Sequence, residues 1–383
     1  MSVTICINAN TLAYPTGGGH RWVYLNWAMG LKALGCKVIW MEGVLPKWGA
    51  ERISELRRIL VDELTPYGLG NSVALFSYFK DQQLSAEIEN TITIEQATAT
   101  GDLLLDMAYG AQPFIVDQFR RSALLDIDPG ILQVWLAHKQ IEVARHDVYF
   151  TIGETVGVPG SRIPDAGLKW NYLPPCVYLD AWPVRQSAMP APFTTVSQWE
   201  TPDWIIYGNE SYANQKRDGF LPYLEIPAQV NCKMELALGL GKIGEQAELD
   251  PEQQMLRKLG WSVRHADQTT PTLRAYQDYI ANSAGEFSCC KPSCVRLQNA
   301  WVSDRTLCYL ASGRPTVLEH TGPSKILPEA AGLFRFNNFQ QAVEYVNKVV
   351  ADYDNQSRLA RQLVEEHFSA TVIAKRLLEI AMT

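Results

Sequence analysis

The sequence predicts an α/β protein of two Rossmann-like domains that face each other across a cleft. Three observations carry this. Strand-like apolar runs alternate with helix-period segments, as in doubly wound sheets. That rhythm stops once, at a proline-rich stretch in mid-chain, and then restarts. The length of 383 residues exceeds one ordinary core and suits two of roughly 150–200 residues each.

The first half opens on a short β-prone run, Val3–Asn8, followed by a loop with three glycines, Gly17, Gly18 and Gly19. Val23, Trp27, Leu31 and Leu34 then recur at helical spacing until Gly35 supplies a C-terminal stop. A second strand, Lys37–Met41, follows at once, and a strand–helix–strand of this length implies a parallel pair with a right-handed crossover. Val73–Phe76, Leu103–Leu105, Ala123–Ile127 and Val148–Ile152 are further buried-strand candidates.

Residues 181–193, AWPVRQSAMPAPF, hold three prolines and little periodicity, the composition of a stiff linker. The expected division is therefore 1–185, 186–365 and a terminal segment, 366–383, that packs back on the first domain. In the second half, strands are expected at Phe193–Val196, Trp204–Tyr207, Met234–Leu238, Trp261–His265, Glu286–Cys290, Thr316–Glu319 and Leu333–Phe336. Helices are expected near 217–225, 251–259, 271–283, 304–312 and 339–351, and Asn355 to Ala381 reads as helical throughout. Two successive open sheets place a ligand cleft at the carboxyl ends of both sets of strands.

Composition excludes several classes. Hydrophobic residues at 47% and charged residues at 20% mark a globular chain. A net charge of −7 argues against a nucleic-acid partner, which needs a basic face. It leaves room for a nucleotide held by local cations and backbone N–H groups. No apolar run has the roughly 18–20 residues of a membrane span, and MSVTICINAN enters a strand with no leader pattern, so the cytoplasm is expected. Eight scattered cysteines read as buried thiols; Cys289, Cys290, Cys294 and Cys308 lack the paired spacing of a zinc knuckle. A homodimer is left open.

Chemistry concentrates in a few places. The Gly17–Gly19 loop, placed between the first strand and the first helix, admits close backbone approach, and His20 stands at its end. The pattern is not a dinucleotide fingerprint, although Glu42 closes the second strand where a ribose-binding acid would sit. Downstream, Ser303 or Asp304 can cap a helix that Gly313 ends and Pro315 follows. A helix N-terminus in the cleft, flanked by Arg305, suits a diphosphate. Gly208 and Lys216 follow the Trp204–Tyr207 strand and are expected to approach the same phosphates, with Gly322 close to the donor sugar. Asp126 and Asp128 form a D-x-D that here runs into Pro129-Gly130, so a capping and turn role for Asp128 outweighs metal binding.

SDRTLCYLASGRPTV, HTG and LPEAAGLFRF resemble the donor-binding half of GT-B glycosyltransferases of the group-1 type. GGGHRWVYLNWAMGLKALGCKVIWME, LLDIDPGILQ, YFTIGETVG, LPPCVYLDAWP, FTTVSQW and YIANSAGEFS extend the resemblance to a bacterial subfamily over nearly the whole chain. It implies a GT-B fold and transfer of a sugar from a nucleotide-sugar donor to a small-molecule or glycan acceptor, with neither cofactor nor metal ion. The group-1 pattern has two glutamates eight residues apart; here those positions are Ala300 and Cys308. Ribose binding then falls to Asp304 or Glu286 or is done differently, and a retaining mechanism does not carry over automatically; inverting and retaining outcomes both stay open. We expect His20 to act as a general base in an inverting step, with Asp106 or Asp128 holding its tautomer. Asp106 joins the acceptor-side loop, and Asp128 joins His20 as a catalytic candidate. A sugar-nucleotide 2-epimerase and a non-catalytic sugar-nucleotide-binding protein are the alternatives.

Overall fold

The computed structural model describes residues 3–88, 92–185, 189–201, 204–207, 209–239 and 250–383. Its first sheet holds seven parallel strands, β1 Thr4–Ala9, β2 Lys37–Val44, β3 Val73–Ser77, β4 Leu103–Asp106, β5 Ser122–Asp126, β6 Val148–Thr151 and β7 Trp170–Tyr172, in the order β3-β2-β1-β4-β5-β6-β7. β1, β4 and β5 are buried along their whole length, as expected of parallel strands covered on both faces. The order reverses between β1 and β4, so the loops leaving these strands open the crevice where a ligand can enter.

The second sheet repeats the scheme with β8 Phe193–Gln198, β11 Met234–Gly239, β12 Trp261–His265, β13 Gly285–Ser288, β14 Thr316–Glu319, β15 Ala330–Ala331 and β16 Leu333–Phe336. Its order is β12-β11-β8-β13-β14-β16-β15, with the reversal between β8 and β13, and β15 alone antiparallel.

Three features depart from the expected pattern. β9 Trp204–Tyr207 does not join the second sheet; it pairs antiparallel with β10 Glu210–Ala213 as a separate hairpin. β7 adds an edge strand of three half-buried residues, too short and polar to announce itself. The chain end is two helices, Tyr353–His367 and Ala370–Ala381. Helical periodicity continues through the break, but Val177 N–H donates to the Phe368 carbonyl and the Ala370 N–H to the Val177 carbonyl, each at 2.9 Å.

The first helix, Gly18–Ala33, carries the contact between the halves. It begins at the second of the three glycines, so Gly18 and Gly19 are its first turn rather than an open loop. A Cβ at Gly18 would lie 2.2 Å from the Thr272 carbonyl oxygen, and one at Gly19 2.6 Å from the Tyr276 ring. The Gly18 N–H donates to Thr270 O at 3.2 Å, and Trp22 Nε1 to Leu273 O at 3.0 Å. Arg21, buried, reaches Pro15 O at 2.7 Å and Pro271 O at 3.4 Å. Trp22, Trp182 and Tyr276 continue one apolar core across the contact, with the two tryptophan rings 4.8 Å apart. At the far end of the helix, Gly30 lets Ala370 of the last helix sit against it.

Candidate functional site

The loop after β1 is shaped from beneath by Glu42. This side chain is wholly buried and accepts from Thr11 N at 3.0 and 2.8 Å, Leu12 N at 3.3 Å, Trp40 Nε1 at 2.9 Å and the Thr11 hydroxyl. Its acceptors are committed to backbone and side-chain donors of the protein itself, so Glu42 organises the loop and offers nothing to a dinucleotide ribose. Burial raises its pKa, opposed by these hydrogen bonds.

His20, in the first turn of the helix, stands over that loop. Its Nε2 donates to the Asn10 carbonyl at 2.7 Å, which leaves Nδ1 as the lone-pair nitrogen. Tyr14 and Tyr24 flank the ring edge-on at 4.8 and 5.4 Å. Desolvation lowers its pKa below 6.5, the Asn10 carbonyl opposing and the Arg21 charge assisting, so the imidazole is neutral at pH 7.

Across the cleft, the Asp304–Ala311 helix points its N-terminus at the same space. Ser303 caps it through Oγ, which accepts from Arg305 N at 3.2 Å. Arg305 is fastened from below: Nε donates to Glu286 Oε1 at 2.5 Å, Nη1 to Val196 O at 2.9 Å and Nη2 to Ser288 Oγ at 2.9 Å. Burial disfavours the guanidinium, but Glu286 more than offsets this, and its pKa is raised. Lys216 is also buried; Nζ donates to Cys289 O at 2.5 Å and lies 5.8 Å from the centre of the Trp301 ring. Desolvation lowers its pKa. The Asp304 carboxyl, half-buried at the first helical position, is pushed up to about 6 by desolvation, with Arg305 opposing.

One cavity of about 690 Å³ joins these groups: Gly17, Gly18, Gly19 and His20 on one wall, Lys216, Ser303, Asp304 and Arg305 on the other. Hollows of about 740 Å³ beside β12 and about 770 Å³ beside β3 are as large. Chemistry rather than volume distinguishes the cleft, where a neutral imidazole, three cations (Lys216, Lys291 and Arg305) and a capped helix end converge.

Several expectations are corrected. Neither Asp106 nor Asp128 touches His20; a backbone carbonyl sets its tautomer instead. Asp106 is fully buried, accepts from Asn8 Nδ2 at 2.7 Å and faces His146 Nε2 at 3.5 Å, so it is no part of the acceptor-side loop. Asp128 is drawn away to the second domain by Lys291, whose Nζ is 3.2 Å from its Oδ2. Glu286 lies beneath Arg305 with no exposure and cannot reach a ribose. Gly322, at φ +126°, makes its close approach to the backbone of Gln298, where a Cβ would meet the carbonyl oxygen at 2.7 Å. Asp126 is consumed by the Tyr109 hydroxyl, Gln133, Thr151 and the Asp128 N–H, so the D-x-D is a structured turn. Gly208 lies outside the described residues. Among the described residues, no group of three or more histidine, cysteine or carboxylate side chains is placed to hold a metal ion.

The cleft also contains residues that sequence reading passed over. Lys291, Trp301 and Tyr276 line it, as do Ala266 and Thr270 after β12. Lys291 follows β13 at the switch point of the second sheet, and that position was the available signal. Tyr276 falls within the helix expected near 271–283, and nothing local marked it.

No family model matches the chain, and no curated protein matches it. Solved structures do match, among them the following three over 98% or more of their length. Anabaena HepE, solved with UDP and glucose, is 12% identical with a TM-score of 0.57 over 99% of each chain. An alpha-glucosyltransferase solved with UDP is 12% identical with a TM-score of 0.60 over 100% of each chain. Sucrose-phosphate synthase from Thermosynechococcus elongatus is 11% identical with a TM-score of 0.54, over 99% of this chain and 98% of that one. The chain has the GT-B fold. Among the described residues, no helix is long and apolar enough to cross a membrane.

Proposed function

We propose that this chain is a glycosyltransferase that moves a sugar from a nucleotide-sugar donor to an acceptor hydroxyl, without a metal ion. The observation that carries the reading is the convergence of His20 with Lys216, Arg305 and the Asp304–Ala311 helix N-terminus on one cavity. Two of the matching proteins were solved with UDP, which supports a nucleotide ligand in this fold.

In this reading the donor diphosphate lies against Lys216, the remaining N–H groups of Arg305 and the free N–H groups of the helix. Asp304 accepts from the ribose hydroxyls, the task for which Glu286 is too deep. The acceptor enters beside the glycine turn. Its O–H loses a proton to His20 Nδ1 as the oxygen attacks the anomeric carbon. The bond from that carbon to the phosphate oxygen breaks, and its electron pair leaves on the nucleoside diphosphate. The resulting imidazolium keeps its Nε2–H···O=C bond to Asn10, so protonation needs no rearrangement of the ring. One displacement inverts the anomeric configuration.

The test is a panel of nucleotide sugars in a melting assay, followed by turnover with and without acceptors. A donor that binds the native state must raise the melting temperature. Turnover requiring an acceptor supports transfer; sugar epimerised with no acceptor present identifies an epimerase, and binding without turnover a non-catalytic protein. EDTA should leave turnover unchanged. Loss restored by Mn²⁺ would contradict the metal-free reading.

A further inference from the structure

We propose that Lys291 is a donor-phosphate ligand that exchanges Asp128 for the diphosphate, so that donor binding releases an ion pair spanning the cleft. This rests on the donor-site reading above and adds to it a contact between nucleotide binding and the opposite domain.

Position is the first support. Lys291 follows β13, where the second sheet reverses, and lines the cavity together with Lys216 and Arg305. Its partner Asp128 belongs to the turn after β5, on the other sheet, and the two meet at 3.2 Å. The turn is held rigidly: the Tyr109 hydroxyl accepts from Ile127 N at 2.7 Å and Asp128 N at 3.1 Å. The backbone that carries Asp128 is therefore fixed at the edge of the cleft.

Charge is the second support. Arg305 is compensated by Glu286 at 2.5 Å, with further hydrogen bonds to Val196 and Ser288. Lys216 donates to the Cys289 carbonyl and feels the Glu319 and Glu286 carboxylates, so it too is partly compensated. Lys291 is the neighbouring cation whose counter-ion is held loosely, the lysine being 20% exposed and the aspartate 38%. A pair so hydrated is worth about 0.2–1 kcal/mol. A diphosphate carries more charge than one carboxylate and accepts stronger charge-assisted hydrogen bonds, so it wins the lysine. By linkage, whatever strengthens the Asp128–Lys291 contact must weaken donor binding by the same factor.

The experiment titrates UDP, ADP and GDP into the full-length wild type by calorimetry and carries the tightest binder forward. Lys291→Ala should weaken it about 10- to 100-fold, the loss of one charge-assisted contact. Asp128→Asn should tighten it about two- to fivefold, because it removes the competitor. The double variant should resemble Lys291→Ala. Both single variants break the same ion pair, so a purely structural contact would move affinity in one direction in both; opposite signs support the proposal. Affinity within twofold of wild type in Lys291→Ala, or weakening in Asp128→Asn, overturns it. Lys291→Gln, which keeps the length of the stem, repeats the test should the alanine variant fold poorly. A wild type that binds none of the three diphosphates refutes the donor site itself; binding unaffected by Lys291 refutes only the exchange.

Discussion

Arg305→Ala removes a group with two separate duties, and the structure allows them to be told apart. Its guanidinium is the partner of Glu286 Oε1, while Glu286 Oε2 has no hydrogen-bond partner among the described residues and the side chain has no exposure. Truncating the arginine strands a buried carboxylate and removes a donor from the Val196 carbonyl and the Ser288 hydroxyl. Breaking a buried pair from one side costs about 3–5 kcal/mol. For a domain of this size that corresponds to a melting temperature lower by roughly 6–20 °C. Donor affinity should fall as well, by about 1.5–3 kcal/mol for a charge-assisted hydrogen bond. The assay is a thermal melt and a UDP titration on wild type, Arg305→Ala, Glu286→Gln and the double variant. The double variant should be more stable than Arg305→Ala alone, because no unpaired charge remains, yet it should bind UDP no better. Residues in contact are expected to show non-additivity of about 0.5–3 kcal/mol in such a cycle. If Arg305→Ala melts within about 1 kcal/mol of wild type, the buried pair does not anchor this wall. If it melts low but binds UDP normally, Arg305 is scaffold and not a phosphate ligand.

Three further outcomes follow from the same geometry. His20→Ala should lower turnover about 10²–10⁴-fold with donor affinity near wild type, and the acid limb of the wild-type pH–rate profile should fall below pH 6.5, the direction in which burial shifts the ring; a loss under about tenfold, or product that keeps the donor's anomeric configuration, removes His20 as the base. The Asp304 carboxyl is raised to about 6 in the folded chain, so its ionised form destabilises the native state. Asp304→Asn should then stabilise the protein by about 1–2 kcal/mol above pH 6, a gain that fades to nothing as pH drops below about 4, while ribose binding weakens; a flat difference in denaturation midpoint across that window would contradict it. Gly18→Ala places a methyl group 2.2 Å from the Thr272 oxygen and should cost about 1–3 kcal/mol in a denaturant melt, unless the two domains separate freely in solution.

His20 could be singled out from sequence because a histidine that follows glycines at a strand–helix junction occupies the carboxyl edge of a sheet, wherever the rest of the chain lies. The capped helix with Ser303, Asp304 and Arg305 was legible for the same reason: capping depends on residues within one turn. What could not be read was which partner each charged group takes. Asp106 and Asp128 were assigned to His20 because all three stand near strand ends of one sheet. The order β1-β4-β5 hands Asp106 to Asn8 and turns Asp128 toward Lys291, 163 residues away in sequence. Glu286 and Arg305 lie 19 residues apart, yet only the packing of β13 under the helix makes them a pair.

By itself the sequence determined the two α/β halves, the parallel sheets and the helix whose N-terminus faces the cleft, because apolar periodicity, glycine stops and caps act over a few residues. The tertiary structure decided that Gly18 and Gly19 are small for the sake of the opposite domain, that Glu42 builds a loop, and that β9 leaves the sheet for a hairpin. It also decided which cleft cations are already neutralised. Those outcomes depend on contacts between separate segments, from 19 residues apart for Glu286 and Arg305 to 31 for Thr11 and Glu42 and 251 for Trp22 and Leu273, whose energies are set by burial and by the geometry of the partner.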